Sequence, residues 1–175
     1  MCLTHYCRKT TMKTSNVSRA EQASTVNLLT FNSIKPFDGV ISDFEKQLGR
    51  FDQNQALSSP TGFQDYVKRV EGPSGFMIMD MFEMDRIPAL ASSSTRVRQY
   101  LVGNPLIASK MALHDTLAAL YAPIRVLIYT REGRTCISYD QPSTTFGRLA
   151  SNDIRQMAKD DDQRFEALAQ KSLIP

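Results

Sequence analysis

One stretch of the chain carries the strongest fold signals: GNPLIASKMALHDTLAALYAPIRVLIYTREGRTCISYDQP, residues 103–142. Asn104 is a residue type that caps helices and Pro105 suits the first helical position, so the pattern predicts a helix that begins there. The apolar side chains expected along one side of it are Leu106, Ile107, Met111, Leu113, Leu117, Leu120 and Tyr121. If the helix is continuous, His114 projects from the middle of that arc. Alternatively, Asp115 caps a second short helix and His114 ends the first.

Two strands and a tight turn follow this helix. Ile124–Thr130 is rich in β-branched and aromatic residues, and Glu132-Gly133 is typical of a two-residue hairpin turn before Thr135–Tyr139. The resulting register pairs Val126 with Tyr139, Ile128 with Ile137 and Tyr129 with Cys136, and it puts Val126, Ile128, Ile137 and Tyr139 on the core face. Arg125 then comes opposite Asp140, where a charge pair is expected.

The remaining elements lie on either side of this unit. The other strands are predicted at Thr25–Phe31, Phe76–Met84 and Val97–Val102. Three further helices are predicted: one begins at Pro36, one spans Phe63–Val70, and one begins after Ser151 or Asn152. This order predicts an α+β fold, a two-layer sandwich in which helices pack on one face of a mainly antiparallel sheet of about five strands. Residues 25–172 are expected to form one domain, and residues 1–24 a flexible basic tail.

Two short runs allow more than one interpretation. Strict alternation along Phe76–Met84 puts Met77, Met79 and Met81 on one strand face. Such a face indicates a buried second side of the sheet, or else a soft metal site or an adaptable ligand surface. Asp160–Asp162 is expected on the solvated face of the last helix, because a calcium loop would need glycine and alternating ligands.

Charge and cysteine content narrow the possible partners. The net charge is +3, and four basic residues against one acidic residue within residues 1–24 account for all of it. The folded part is therefore neutral, and nucleic acid is not an expected partner. Three cysteines leave one unpaired in any scheme, no secretory signal precedes the domain and no apolar run suits a membrane span. We expect a cytoplasmic protein with reduced thiols.

The sequence contains no familiar catalytic or cofactor motif. Phosphate-binding loops, dinucleotide fingerprints, zinc spacings and nucleophile elbows are missing, so we expect neither a cofactor nor a metal site. Cys136 with His114 could form a thiolate and its base, since a neighbouring imidazole helps to ionise a thiol. Cys136 in the middle of a strand is equally explained as a small buried hydrophobe.

Several of these segments together resemble a known family. Gly103-Asn104-Pro105, the run from Ala122 to Tyr129, the Gly133 turn and Ser138–Pro142 look like the signature of the Domain of Unknown Function 302 family. The resemblance covers about residues 25–172. It implies a compact two-layer α+β fold, a bacterial source and frequent dimers, and it implies no established enzyme activity.

This chain departs from the commonest pattern of that family at two places. It has Ala108-Ser109 where many members carry Gly-Thr, and Asp85-Arg86 where many carry a histidine after the acidic residue. A site built on that histidine therefore does not transfer to this chain. His114 with Asp115 looks like a subgroup feature in its place.

The polar residues of the central unit define the candidate site. The residues expected to bind a ligand are Gly103, Asn104, Ser109, His114, Arg125 and Tyr139. Two hypotheses follow. The first is a noncatalytic small-ligand or protein-interaction module that forms a homodimer through a sheet edge or exposed methionines. The second is a small enzyme or anion-binding protein, in which free amides of the Gly103–Leu106 helix start hold a small anion beside His114 and Arg125.

Overall fold

The computed structural model describes residues 10–11, 17–91 and 94–175. Its strands are β1 (Thr10–Thr11), β2 (Ser18–Arg19), β3 (Leu28–Ser33), β4 (Gly49–Arg50), β5 (Met77–Glu83), β6 (Val97–Gly103), β7 (Ile124–Arg131) and β8 (Arg134–Asp140). Its helices are α1 (Phe37–Lys46), α2 (Gln53–Leu57), α3 (Phe63–Val70), α4 (Pro88–Ala91), α5 (Pro105–His114), α6 (Pro142–Phe146) and α7 (Asn152–Leu173), with 3-10 turns at Met84–Arg86 and Thr116–Leu120. Of the segment predicted to be a flexible basic tail, residues 1–9 and 12–16 lie outside the described residues.

The expected α+β architecture is confirmed. Six strands form one sheet in the order β3-β8-β7-β6-β5-β4, and every neighbouring pair is antiparallel except β4 with β5. The short parallel strand β4, which the sequence did not reveal, raises the count above the expected five. β1 and β2 pair with each other outside this sheet. Within the described residues, no helix is long and apolar enough to cross a membrane.

The central hairpin has the predicted register. Val126 lies opposite Tyr139, Ile128 opposite Ile137 and Tyr129 opposite Cys136. Glu132 and Gly133 both have positive φ, 51° and 74°, which matches the twist of the flanking strands and explains the glycine. The expected core face is buried: Val126, Ile128, Ile137 and Tyr139 are each at most 2% exposed. Arg125 and Asp140 are both exposed, and no ion pair joins them in the described part of the chain.

The main core lies between the sheet and helices α1, α5, α6 and α7. Phe165 of α7 stacks on two residues of the sheet layer, with ring centroids 4.5 Å from Phe76 and 5.5 Å from Tyr139. A smaller cluster at the β4–β5 end joins α2 and α3 to Met77, which is fully buried. Asp52 caps α2 by accepting a hydrogen bond from the Gln55 amide, and α2 is a short helix that the sequence analysis did not predict.

The predicted leucine face of α5 is wrong. Leu113, Leu117 and Leu120 are 88%, 59% and 73% exposed, whereas Met111 and Ala118 are buried. For Leu117 and Leu120 the cause is Asp115, whose carboxylate accepts a hydrogen bond from the Leu117 amide and caps a separate 3-10 turn, which is the second of the two alternatives expected. The helical phase restarts at this cap, so the spacing of a continuous helix does not apply to these two residues. Leu113 lies before the cap, on a helix that buries Met111 instead.

The predicted three-methionine face is also wrong. The pairing between β5 and β6 shifts between Ile78 and Asp80, so Met79 occupies a bulge. A bulged residue reverses the alternation beyond it. Met81 therefore packs against the main core, while Met77 and Met79 belong to the smaller cluster.

The aspartate run in α7 differs from its predicted position. Ser151 caps the helix through the Ile154 amide, as one of the two expected caps. Asp160 is exposed, but Asp161 is only 6% exposed. The solvated-face interpretation is therefore wrong for Asp161, because Asp161 lies on the same side of the helix as the buried Ala158 and Phe165.

Candidate ligand-binding site

A cavity of about 230 Å³ opens between α5, α7 and the adjoining ends of β5, β6 and β7. The larger side chains that line it are Phe76, Met79, Ile107, Met111, Phe146 and Phe165. Asp161 contributes the carboxyl group of the lining, and we refer to this cavity as the Asp161 pocket. Apolar walls with a few polar groups are the usual composition of a small-molecule site.

The start of α5 forms one rim of the pocket. Asn104 is 8% exposed, and its Oδ1 accepts a hydrogen bond from the Leu106 amide at 2.9 Å. Its Nδ2 donates to Glu71 Oε2 at 3.1 Å and to the Gly75 carbonyl at 2.9 Å. One side chain therefore caps the helix and fixes it to the loop before β5, which makes this wall of the pocket rigid.

Asp161 is the titratable group of the pocket. Its Oδ1 accepts a hydrogen bond from Arg164 Nη2 at 2.7 Å, and its second oxygen has no hydrogen-bond partner among the described residues. Burial raises the pKa of Asp161 to about 6, and the nearby Arg164 charge opposes this shift only in part. The Arg164 guanidinium itself lies over the Phe76 ring, 5.0 Å from its centroid.

Two of the six predicted site residues line this pocket. Gly103 and Asn104 do so, whereas Ser109 is exposed and its hydroxyl donates to the Leu106 carbonyl. The amides of the helix start are already used. The Leu106 amide bonds to the cap, those of Ile107 and Ala108 bond to the Asn104 carbonyl, and proline supplies none.

The other three predicted residues lie elsewhere. The ring Nδ1 of His114 is 3.5 Å from Asp153 Oδ2 at the exposed end of α5. Arg125 lines two shallow depressions that it shares with Asp140, and His114 lines neither. Tyr139 is buried beneath Phe165, and its hydroxyl has no hydrogen-bond partner in the described part of the chain.

Nothing in the geometry joins the predicted thiol to its predicted base. Cys136 is a buried free thiol in β8, whereas His114 is half-exposed at the helix end. Within the described ranges, no group of three or more histidine, cysteine or acidic side chains is placed to hold a metal ion.

Asp161 was missed because the sequence places it in a run of three aspartates. Helical spacing could have identified it, since it lies three residues after Ala158 and four before Phe165, both expected on the apolar face. The charge of the run outweighed the periodicity in our interpretation. A single acidic residue in phase with an apolar stripe is the signal to look for.

A second polar group lies at the opposite end of the sheet, which we call the Glu45 cluster: Glu45, Glu83, Arg98 and Tyr100. The Tyr100 hydroxyl donates to Glu45 Oε1 at 2.7 Å, and Arg98 Nη2 bonds to Glu83 Oε1 at 2.6 Å. Burial and the Glu45 charge raise the pKa of Tyr100. Arg50 and Arg86 complete the partners of the two glutamates at 3.0 and 2.9 Å.

Fold and site together define a class, a two-layer α+β protein with an apolar pocket between its layers. Residues 55–172 match the model of the domain of unknown function DUF302, and the match covers about two-thirds of the chain. The chain belongs to this family, which confirms the resemblance found in its sequence. β3 and α1 lie before the matched range, yet they belong to the same sheet and core.

Known structures support the fold. A crystal structure of an uncharacterized conserved DUF302 protein from Bacillus stearothermophilus has a TM-score of 0.60 and 18% identity, over 83% of this chain and 97% of that chain. No curated protein matches the chain. At this identity the likeness establishes the architecture, and the function has to be argued from the site.

Proposed function

We propose that this protein is a noncatalytic binding module that takes a small, largely apolar ligand in the Asp161 pocket. The observation that carries this proposal is the cavity itself, which lies between the helices and the sheet and is walled by aromatic and aliphatic side chains. A cavity of about 150 Å³ with such walls is enough to bind benzene. The volume of about 230 Å³ therefore suits a ligand built around one ring or a short chain.

The positions of the predicted catalytic residues support a binding role over an enzyme. A nucleophile, its base and an anion-stabilising group must converge for covalent catalysis. Cys136 is buried within β8, His114 is beside Asp153, and Arg125 is exposed at the start of β7. The anion-binding alternative stays a prediction, and its helix-start amides are already hydrogen-bonded.

Methyl NMR of methionine-labelled protein tests the proposal. Met79 and Met111 line the pocket, whereas Met84 is not part of its lining. With toluene as the probe, we expect saturable shifts of the first two methyl signals and little change in the third. Ala108→Trp should abolish these shifts by filling the cavity, while Ala167→Trp on the exposed side of α7 should preserve them. Equal shifts at all three methyls would contradict a site in this pocket.

We further propose that the protein is a homodimer that uses the β3 edge of the sheet. β3 is a terminal strand of six residues, and such an edge offers unpaired backbone groups to a second copy. Leu28 on it is 67% exposed. The methionine interface of the original hypothesis has less support, because Met77 is buried and Met79 and Met81 are half-buried.

Sedimentation distinguishes the proposed interface from the other exposed apolar surface. Leu28→Lys should weaken self-association, and Leu113→Lys, which alters an exposed leucine on α5, should not. A monomeric wild-type protein at high micromolar concentration would rule out the dimer.

A bacterial source and a cytoplasmic location are also proposed. The Bacillus relative supports the bacterial source, and the unpaired Cys136 thiol suits a cytoplasmic location.

A further inference from the structure

The ligand chemistry of the Asp161 pocket follows from one oxygen atom. Asp161 has a side chain only 8% exposed, one oxygen is bonded to Arg164, and the other has no hydrogen-bond partner among the described residues. That second oxygen is not one of the fully buried polar atoms that lack a partner, so it remains accessible and is free to accept a hydrogen bond. The pocket therefore offers a carboxylate acceptor to a hydrogen-bond donor on a ligand.

The favoured charge of that donor depends on how strongly water screens the charges of Asp161 and Arg164. Arg164 neutralises Asp161 formally, but the Arg164 side chain is 37% exposed against 8% for Asp161. Water screens the guanidinium more than the carboxylate, so the carboxylate dominates the potential inside the cavity. Glu71, which accepts a hydrogen bond from the pocket residue Asn104, adds further negative charge at the rim. A cation is favoured there and an anion is disfavoured.

The walls of the pocket agree with this sign. Phe76, Phe146 and Phe165 line the cavity, and the Arg164 guanidinium already lies over the Phe76 ring, so Phe146 and Phe165 are the rings left for a ligand cation. Aromatic faces attract ammonium groups through the ring quadrupole, more strongly when water is excluded. The same rings pack well against an apolar body. Burial, opposed only in part by the Arg164 charge, raises the pKa of Asp161 to about 6, which fits a carboxyl group with incomplete solvation.

From this geometry, and resting on the proposed ligand-binding function, we infer that the Asp161 pocket binds a small primary amine. Its apolar body, about the size of one aromatic ring, occupies the cavity. Its ammonium group donates a hydrogen bond to the second carboxyl oxygen of Asp161 and lies against the phenylalanine rings.

Four probes that share one body and differ in the head group test this inference: benzylamine, benzyl alcohol, toluene and benzoate. Titrations are followed at the Met79 and Met111 methyl signals. Benzylamine should bind roughly tenfold more tightly than benzyl alcohol, as expected for a charge-assisted hydrogen bond in a largely apolar pocket, and benzoate should bind most weakly. Benzylamine no tighter than benzyl alcohol, or benzoate as tight as benzylamine, would overturn the inference. This ranking uses the wild-type chain and needs no variant.

Asp161→Asn provides the second test. It removes the charge and keeps the shape, so we expect roughly a tenfold loss of benzylamine affinity and less than about a threefold change for toluene. Asp160→Asn is the matched control, since it removes one charge from the exposed neighbour on the same helix. Unchanged benzylamine affinity in Asp161→Asn would overturn the inference. If toluene binds but benzylamine is not preferred, only the inference of an amine ligand is refuted. If none of the four probes binds, the proposed ligand-binding function is refuted as well.

Discussion

The Asp161 pocket and the Glu45 cluster use similar groups for different purposes. In the Glu45 cluster each glutamate has two cationic partners. Glu45 lies against Arg98 and Arg50, and Glu83 lies against Arg98 and Arg86. Asp161 has one cation partner and faces a cavity. A carboxylate whose partners are all supplied by the chain holds elements together. One with a partner missing at a cavity is available to a ligand.

The surroundings of the two groups explain this difference. The Glu45 cluster joins α1 to β5 and β6, and its Tyr100 is fully buried against the Phe44 ring, 5.1 Å away. An open depression of about 320 Å³ lies beside Glu83, Arg86 and Arg98, but direct ion pairs of 2.6 and 2.9 Å join Glu83 to the two arginines. The Asp161 carboxyl lies instead where α5 and α7 diverge, and the space between these helices is left open. We therefore expect the cluster to contribute to stability and the pocket to serve the proposed ligand binding.

Arg98→Met should have the largest effect on stability. It keeps the apolar stem and removes the charge shared by Glu45 and Glu83, so we expect a loss of about 2–3 kcal/mol in the free energy of unfolding. Denaturant unfolding measures it. Arg86→Met is the matched control, because Arg86 pairs with the same Glu83 but is 78% exposed, and it should change stability by less than about 0.5 kcal/mol. Equal effects would show that burial does not distinguish the two pairs.

Asp161→Asn should stabilise the protein at neutral pH. The pKa of Asp161 rises from 3.8 to about 6 on folding, so its contribution to stability is full below pH 3.8 and is lost as the pH rises through 6. Above pH 6 this loss amounts to about 2–3 kcal/mol in the free energy of unfolding. The variant recovers part of that free energy because asparagine carries no charge to bury, even though the ion pair with Arg164 is removed. Arg164, Asp160 and Asp162 are the charged groups that act on this carboxyl.

The measurement is the free energy of unfolding at pH values from 4 to 7.5, taken as the difference between variant and wild type. The variant should gain relative stability between pH 4 and 6 and hold that gain above pH 6. Asp160→Asn should show no comparable rise. A pH-independent difference for Asp161→Asn would contradict the raised pKa.

Two tyrosine substitutions, with smaller expected effects on stability, test whether partnered and unpartnered buried polar groups differ. Tyr100→Phe removes a hydroxyl that donates to Glu45, and we expect a loss of about 1 kcal/mol. Tyr139→Phe removes a buried hydroxyl without a hydrogen-bond partner in the described chain, and it should be neutral or slightly stabilising. Thermal unfolding of both variants checks this order. A larger loss in Tyr139→Phe would reveal a partner for that hydroxyl.

Local signals predicted the central unit well. Asn104 and Pro105 start the helix, and the Glu132-Gly133 turn with its flanking alternation determines the hairpin register. Both depend on residues close in sequence, where backbone preferences decide the outcome. The same rules failed at the Met79 bulge, where one extra residue reversed the alternation, and they left the Asp115 cap as one of two alternatives.

The pocket could not be predicted in the same way. Its lining comes from residues between Phe76 and Phe165, and only the packing of the layers brings them together. Sequence reasoning found the Gly103–Asn104 rim because a helix start is a local feature. It missed Asp161 because the charge of the aspartate run outweighed the helical spacing that places this residue in phase with Ala158 and Phe165.

A crystal structure of the protein soaked with benzylamine tests the central claim most directly. We predict electron density for the ring among Phe76, Phe146 and Phe165, with the nitrogen about 2.8 Å from the second carboxyl oxygen of Asp161. An empty pocket in a crystal where benzylamine occupies other carboxylates would contradict the account.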